Sequence, residues 1–394
     1  MTARPPSSPL ADAWLAEHGA DLVTVRRDLH AHPELGHEEH RTTALLVERL
    51  TAAGLSPKVL STGTGLVCDV GSGGPIVMLR ADIDALPLDD EKAVPYRSTV
   101  PGSCHACGHD VHTAAVLGAG LALAQGGFEG TVRLVFQPAE ELMPGGALVV
   151  LADGWLEGVG SAFALHCDPA LDVGLVGLKA GAITAASDAL QIVLTGPGGH
   201  TSRPQNTVDL VHVLASVATG LPQALSRLVD PRAGLCLVWG HVAAGVAGNA
   251  IPRSGTLKGT LRVLDKDAWG RAPELVERLV GELVAPYGAE AQVHYRRGVP
   301  PVVNDGPANA LLTAAVRMAL GPGAAVPTLQ SLGGEDFAWY LDRVPGAMAR
   351  LGVRPLGQQH SHDLHQGAFD VDESALAVAV RVLVGVALAA LSAA

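Results

Sequence analysis

Ile76-Val-Met-Leu-Arg80 runs straight into Ala-Asp82-Ile-Asp84. A short apolar run without alternation predicts a strand buried on both faces, as parallel sheets require. Two more runs behave alike. Thr131–Phe136 leads to Glu140 and Glu141, and Ser161–Leu165 leads directly to His166. Between them Val111–Ala124 predicts an apolar helix. Upstream, Trp14–Leu50 predicts helix, interrupted near His32-Pro33. Downstream come a strand over Ala347–Val353 and a C-terminal helix from Ala375. This alternation predicts an α/β fold, a mainly parallel or mixed sheet with helices on both faces.

Near Ile183 the grammar changes. Strands over Leu190–Leu194, Leu235–His241, Thr256–Leu264 and Ala291–Arg296 interleave with helices over Val208–Leu225 and Ala272–Val284. The order β-α-β-β-α-β is that of a ferredoxin-like domain. The expected division is therefore discontinuous: 1–183 with 298–394 as one domain, and 184–297 inserted in it. Gly181 and Gly298-Val-Pro-Pro301 flank the insertion.

Composition narrows the function. The chain has 394 residues, 48% of them hydrophobic, enough for a large core in more than one domain. Its net charge of -12 and 4% aromatic content argue against a nucleic-acid partner. Five irregularly spaced cysteines are no disulfide framework. Met1–Ala20 has no apolar core of a leader, so a cytoplasmic protein is expected. The apolar tail Ala375–Ala394 carries Arg381 in its middle and predicts a buried helix, so no membrane partner is expected.

In open α/β sheets ligands bind beyond the carboxyl ends of the strands. Asp82, Asp84, Glu140, Glu141 and His166 all fall there, and Cys107-Gly-His109-Asp-Val-His112 precedes the predicted helix. Thiolate and imidazole suit zinc, and carboxylates extend the range to manganese. Gly108 lets the backbone bend so that Cys107 and His109 aim at one point. Of the Glu140-Glu141 doublet, one carboxylate can bind metal while the other serves as general base. A lone Cys-x-His, paired glutamates or one histidine would each be an ordinary surface or core feature; joint placement after strands makes them a site. His30, His32, His37 and His40 read as surface or packing residues. Cys104, His105 and His112 read as neighbours of the site, and Cys68, Cys167 and Cys236 as small buried hydrophobes.

With these residues in place, the chain resembles the metal-dependent amidohydrolases that include hippurate hydrolase, bacterial aminoacylases and plant indoleacetyl-amino-acid hydrolases. The resemblance runs from Arg26-Arg-Asp-Leu-His-Ala-His-Pro-Glu-Leu35 through Arg80-Ala-Asp-Ile-Asp-Ala-Leu-Pro87, His105-Ala-Cys-Gly-His-Asp-Val-His-Thr113 and Phe136-Gln-Pro-Ala-Glu-Glu141. It continues through Gly199-His-Thr-Ser-Arg-Pro204, Asn249-Ala-Ile-Pro252, Gly259-Thr-Leu-Arg262 and Gly333-Gly-Glu-Asp-Phe337. It implies two divalent ions per subunit, zinc or manganese first and cobalt or nickel next. The implied ligands are Cys107, His109, Glu141, His166 and one C-terminal histidine. The family register, a Leu-His pair with an aromatic four residues later, selects His365, with His360 second. Gln366-Gly367 replaces the family's usual Ser-Pro there. Glu140 would be the general base and Asp84 an orienting carboxylate. His200 and Asn249 would meet the substrate, and the inserted domain would act as lid and as the interface of a homodimer or homotetramer. The implied reaction is amide hydrolysis of N-acyl-amino acids. A dipeptidase, a non-catalytic binding protein and a Cys107-nucleophile hydrolase are the rivals.

Overall fold

The computed structural model describes residues 9–358 and 360–394, so the first eight residues of the Met1–Ala20 stretch lie outside them. Buried Val, Leu and Ala side chains on Ile76–Asp82 and Gly130–Gln137 hold these strands parallel to each other in the middle of an eight-stranded sheet. Its order is Lys58–Val59, Leu66–Ser72, Gly130–Gln137, Ile76–Asp82, Val159–Asp172, Gly346–Arg354, Val176–Leu178, Ala325–Pro327. Four of the seven pairings are parallel and three antiparallel, so the sheet is mixed. Helices Pro9–Ala31, His109–Leu123 and Ala375–Ala393 pack on one another, and the last two also cover Ile76–Asp82.

The chain divides into two compact units. One comprises Met1–Gly181, Val303–Leu329 and Asp336–Ala394, the other Ala182–Val302 with Gln330–Glu335. Residues 182–183, 298–302 and 330–335, expected in the first domain, fold with the second unit. The backbone bonds Ile183 N–H to Val302 O (2.9 Å) and Ser331 N–H to Ile183 O (2.9 Å) hold them there. The second unit is a four-stranded antiparallel sheet, ordered Cys236–Ala244, Ser254–Val263, Ala186–Thr195, Glu290–Val299. Helices Leu210–Leu228 and Lys266–Val284 pack on it and on each other.

Several elements differ from expectation. Lys266–Val284 starts six residues before the expected Ala272, because the Asp265 carboxylate caps it through Ala268 N–H (2.7 Å) and Pro273 is tolerated inside. Helix Gly306–Leu320, capped by Asp305, went unread, as did the strands Leu66–Ser72, Val176–Leu178 and Ala325–Pro327. Val159–Asp172 runs past His166, which sits inside a strand and not at its end. Ala375–Ala393 is apolar and long enough to cross a membrane, but 67% of its most apolar window is buried within the fold. Arg381 in this helix is neutralised by Asp12 at 2.7 Å.

Candidate metal centre

Three loops and one strand of the first unit converge. Gly108 caps the helix His109–Leu123 at φ 84°, and a Cβ there would stand 2.7 Å from Cys167 Sγ, so only glycine can join Cys107 to His109 in this way. Beyond strand Gly130–Gln137 the chain turns through Ala139, which adopts a left-handed φ of 53°. The Ala139 N–H donates to Glu39 Oε1 at 2.8 Å, fixing the turn that presents Glu140 and Glu141. His365 is likewise left-handed at φ 64°, held by its N–H on Ala106 O at 2.8 Å.

Candidate donor atoms fall into overlapping triads, each within 4.8 Å: Cys107–His109–His166, Cys107–Glu141–His365 and His109–Glu140–Glu141. Cys107, His109 and Glu141 each belong to two of them. His166 Nε2 lies 3.7 Å from Cys107 Sγ, His365 Nε2 3.2 Å from Glu141 Oε1, and Glu140 Oε2 3.9 Å from His109 Nε2. All are buried except Glu141, which is half-buried, and His365, which is exposed.

Hydrogen bonds decide which nitrogens can take a cation. His109 Nδ1 is 2.9 Å from the Asp84 carbonyl oxygen and 3.1 Å from Asp84 Oδ1. A carbonyl only accepts, so Nδ1 carries the hydrogen and Nε2, which makes no hydrogen bond, points into the site. His166 Nδ1 donates to Cys167 O at 2.8 Å, leaving Nε2 toward Cys107. His112 differs. Its Nδ1 meets Asp82 Oδ1 at 2.6 Å and its Nε2 accepts from Cys167 N–H at 2.8 Å, so it has no lone pair to give. Asp84 also accepts from Glu141 N–H (2.9 Å), tying both donors to one carboxylate.

Electrostatics favour positive charge here. Burial alone would depress His109, but Asp82, Cys107 and Asp84 outweigh it and hold its pKa well above the ordinary range. Hydrogen bonding to Cys107 and Glu141 lifts His365 to about 10. Burial raises the Cys107 thiol, and burial together with Arg350 lowers His166 well below its usual value. Asp82 is buried, yet His109, Arg80 and His112 keep its carboxyl well below the ordinary range.

A further cluster, His30–Asp90–Cys104, has similar residue types but already contains a cation. Lys92 Nζ sits 2.9 Å from Asp90 Oδ1 and 3.7 Å from Cys104 Sγ. His30, read as surface or packing, is fully buried between Asp110 (2.7 Å) and Asp90 (3.2 Å), whereas His32 is partly exposed. Cys68 and Cys167 are buried as expected; Cys236 is exposed, because its strand is the sheet edge. His360 is exposed. Glu39 was missed altogether: nothing in the sequence marks a buried carboxylate one residue before a helix.

In the second unit His200 and Asn249 adjoin. Gly199–His200 pairs with Ala250–Ile251, and Thr201 N–H reaches Asn249 O at 3.3 Å. Both residues are exposed, and His200 Nδ1 accepts from Ser202 N–H at 3.1 Å.

One thiol, three imidazoles and two carboxylates around an unbonded His109 Nε2 fit divalent first-row metals, and the sharing of Cys107 between triads fits a dinuclear centre. This fold and donor set define a metal-dependent amidohydrolase or peptidase. Residues 78–389 match peptidase family M20/M25/M40, and the chain belongs to that family. It is 48% identical over 364 residues to the "Putative glutamate--cysteine ligase 2-3" of Rhodococcus jostii (strain RHA1), covering 92% of this chain but only 46% of that protein. It is 38% identical to the N-acetylcysteine deacetylase of Bacillus subtilis (strain 168), covering 91% and 93%. Its fold matches the Bacillus subtilis YXEP protein, a dinuclear metal binding peptidase from this family, with a TM-score of 0.84 and 33% identity over 97% and 99% of the two chains.

Proposed function

We propose that the chain hydrolyses the amide bond of N-acyl-amino acids, with Glu140 as general base and Cys107, His109, Glu141, His166 and His365 holding two divalent ions, zinc or manganese first. The observation that carries this reading is the division of the glutamate doublet. Glu141 shares a triad with Cys107 and His365, while Glu140 Oε2 stands 3.9 Å from the unbonded His109 Nε2. The 38% identity to an N-acetylcysteine deacetylase supports the substrate class.

When bound, divalent ions polarise a carbonyl and lower the pKa of water. Glu140 takes the proton of the attacking water and returns it to the leaving nitrogen. Asp84 fixes the His109 tautomer through Nδ1 and the Glu141 backbone through its N–H. Burial of Cys107, His109, Glu140 and His166 away from water strengthens each of their interactions. His200 and Asn249 take the substrate-binding roles, which their adjoining, exposed placement in the second unit supports. That unit has the strand order of a ferredoxin-like module and takes the lid and dimerisation role, giving a homodimer or homotetramer. Glu140→Gln is expected to abolish turnover while metal content, measured by elemental analysis, stays at the wild-type level. A variant that remains fully active refutes the mechanism.

The description of the YXEP protein as a peptidase favours a second reading, a dipeptidase on the same centre. Parallel assays on N-acetyl-amino acids and on dipeptides separate the two.

A further inference from the structure

The histidines of the candidate centre are not held alike. His109 and His166 each have Nδ1 engaged by an oxygen outside the donor set, His109 by Asp84 and His166 by Cys167 O. Such a partner fixes the ring of a metal-binding histidine. Among the described residues, the polar contacts of the His365 ring are with other candidate donors only, Glu141 and Cys107. His365 is also exposed, and its backbone stands at a left-handed φ of 64°. A residue with a side chain keeps that conformation where its surroundings over-determine it. The aim of this ring is therefore set by the loop that carries it.

The loop is tightly docked. His365 N–H donates to Ala106 O at 2.8 Å. Gln366 Oε1 accepts from Asp363 N–H at 3.0 Å and Gln366 O from Phe369 N–H at 2.9 Å, so this one residue closes the turn that contains His365 and the turn that follows it. Gly367 O accepts from Glu91 N–H at 2.9 Å and lies 3.5 Å from Lys92 Nζ. A Cβ at 367 would collide with the Asp89 carbonyl oxygen and stand 2.9 Å from Glu91 Cγ, so the approach is open to glycine alone. Lys92 is buried and also reaches Asp90 Oδ1 at 2.9 Å and Cys104 Sγ at 3.7 Å. One ammonium thus joins the segment leading to Cys107 to the loop bearing His365. Gln366 and Gly367 are the two residues at which the chain leaves the Ser-Pro of the family it resembles. A proline has the Cβ that this approach forbids.

We propose that Gln366, Gly367 and Lys92 form a positioning hook for His365, and that the hook sets the affinity of one of the two metal positions. The inference rests on the two-ion reading of the site. His365 belongs to the triad Cys107–Glu141–His365 and to neither Cys107–His109–His166 nor His109–Glu140–Glu141. Loosening the hook therefore acts on one position and spares the other. Gly367→Ala is the direct perturbation. The added methyl group cannot coexist with Asp89 O, so the loop lifts and carries His365 with it, while every donor atom is retained.

The test titrates zinc into the full chain, first freed of metal, against a chromophoric chelator, and reads two affinities. His365→Ala is the reference. Gly367→Ala is expected to weaken whichever affinity His365→Ala weakens, by roughly ten- to hundredfold, and to leave the other within about twofold of wild type. Gln366→Ala shifts the same affinity by a smaller factor. Lys92→Met gives the same readout should Gly367→Ala not fold. A general loss of stability would lower both affinities together. That result, or two unchanged affinities in both Gly367→Ala and Lys92→Met, overturns the proposal. A loss in His365→Ala without one in Gly367→Ala refutes the hook and leaves the two-ion reading standing. If His365→Ala itself changes neither affinity, or if wild type takes up a single ion, that reading falls and the proposal with it.

Discussion

Glu39 carries a measurable consequence of being buried beside the turn that presents Glu140 and Glu141. It has no accessible surface, one carboxylate oxygen accepts from Ala139 N–H at 2.8 Å, and the other has no hydrogen-bond partner. Burial is the largest influence on its pKa and, joined by the charge of Asp84, outweighs the backbone hydrogen bonds that favour the anion, so the pKa rises from 4.5 to about 7. A carboxyl whose pKa is raised by folding stabilises the fold fully below its unfolded pKa. That contribution is lost as pH rises toward the folded value, because the unfolded chain ionises first. Over the whole window the loss is about 3 kcal/mol, and between about pH 5.5 and about pH 8.5 it is about 2 kcal/mol. Glu39→Gln keeps the acceptor for Ala139 N–H and cannot ionise. Its stability relative to wild type should therefore improve by about 2 kcal/mol between those two pH values. Equilibrium urea unfolding of both proteins at the same saturating metal concentration measures this, and the comparison cancels the pH dependence of metal binding. A difference between the two proteins that is flat across this range refutes the reasoning: Glu39 would then be ionised in the fold, with a partner for its second oxygen.

Two further changes probe the supports of the centre. Asp84→Asn removes the charge that faces His109 Nδ1 while keeping an acceptor for Glu141 N–H; metal affinity should fall about 10- to 100-fold, read by competition with a chelator. Asp336→Ala strips Arg80 of a buried partner, leaves Ala147 N–H without its acceptor and removes the shorter of the two bonds from Gln137 Nε2, so the first unit should lose about 3–5 kcal/mol in chemical unfolding, with Asp336→Asn costing less.

The sequence made the sheet legible where its physics is local. Ile76–Asp82 and Gly130–Gln137 are continuous apolar runs because both faces are covered, and such runs announce themselves. The half-exposed strand Leu66–Ser72, one in from the edge, and the three-residue Val176–Leu178 and Ala325–Pro327 exist through pairing with distant partners. His166 looked like a strand-end residue because the apolar run stops there. The strand continues because Gly346–Arg354 pairs with it through Asp172.

Which of several similar residues can take a metal was decided by hydrogen bonds that no spacing encodes. His109, His112 and His166 are all buried imidazoles whose Nδ1 faces an oxygen. His112 alone has its Nε2 lone pair used, by the backbone N–H of Cys167, a residue 55 positions away. The same rule separates the two cysteine–histidine clusters. Around Cys107 the polar atoms turn inward on a nitrogen without a partner, while around Cys104 they close on the ammonium of Lys92. Residue types nominate a site; the ligand capacity left over after the fold's own hydrogen bonds and ion pairs decides it.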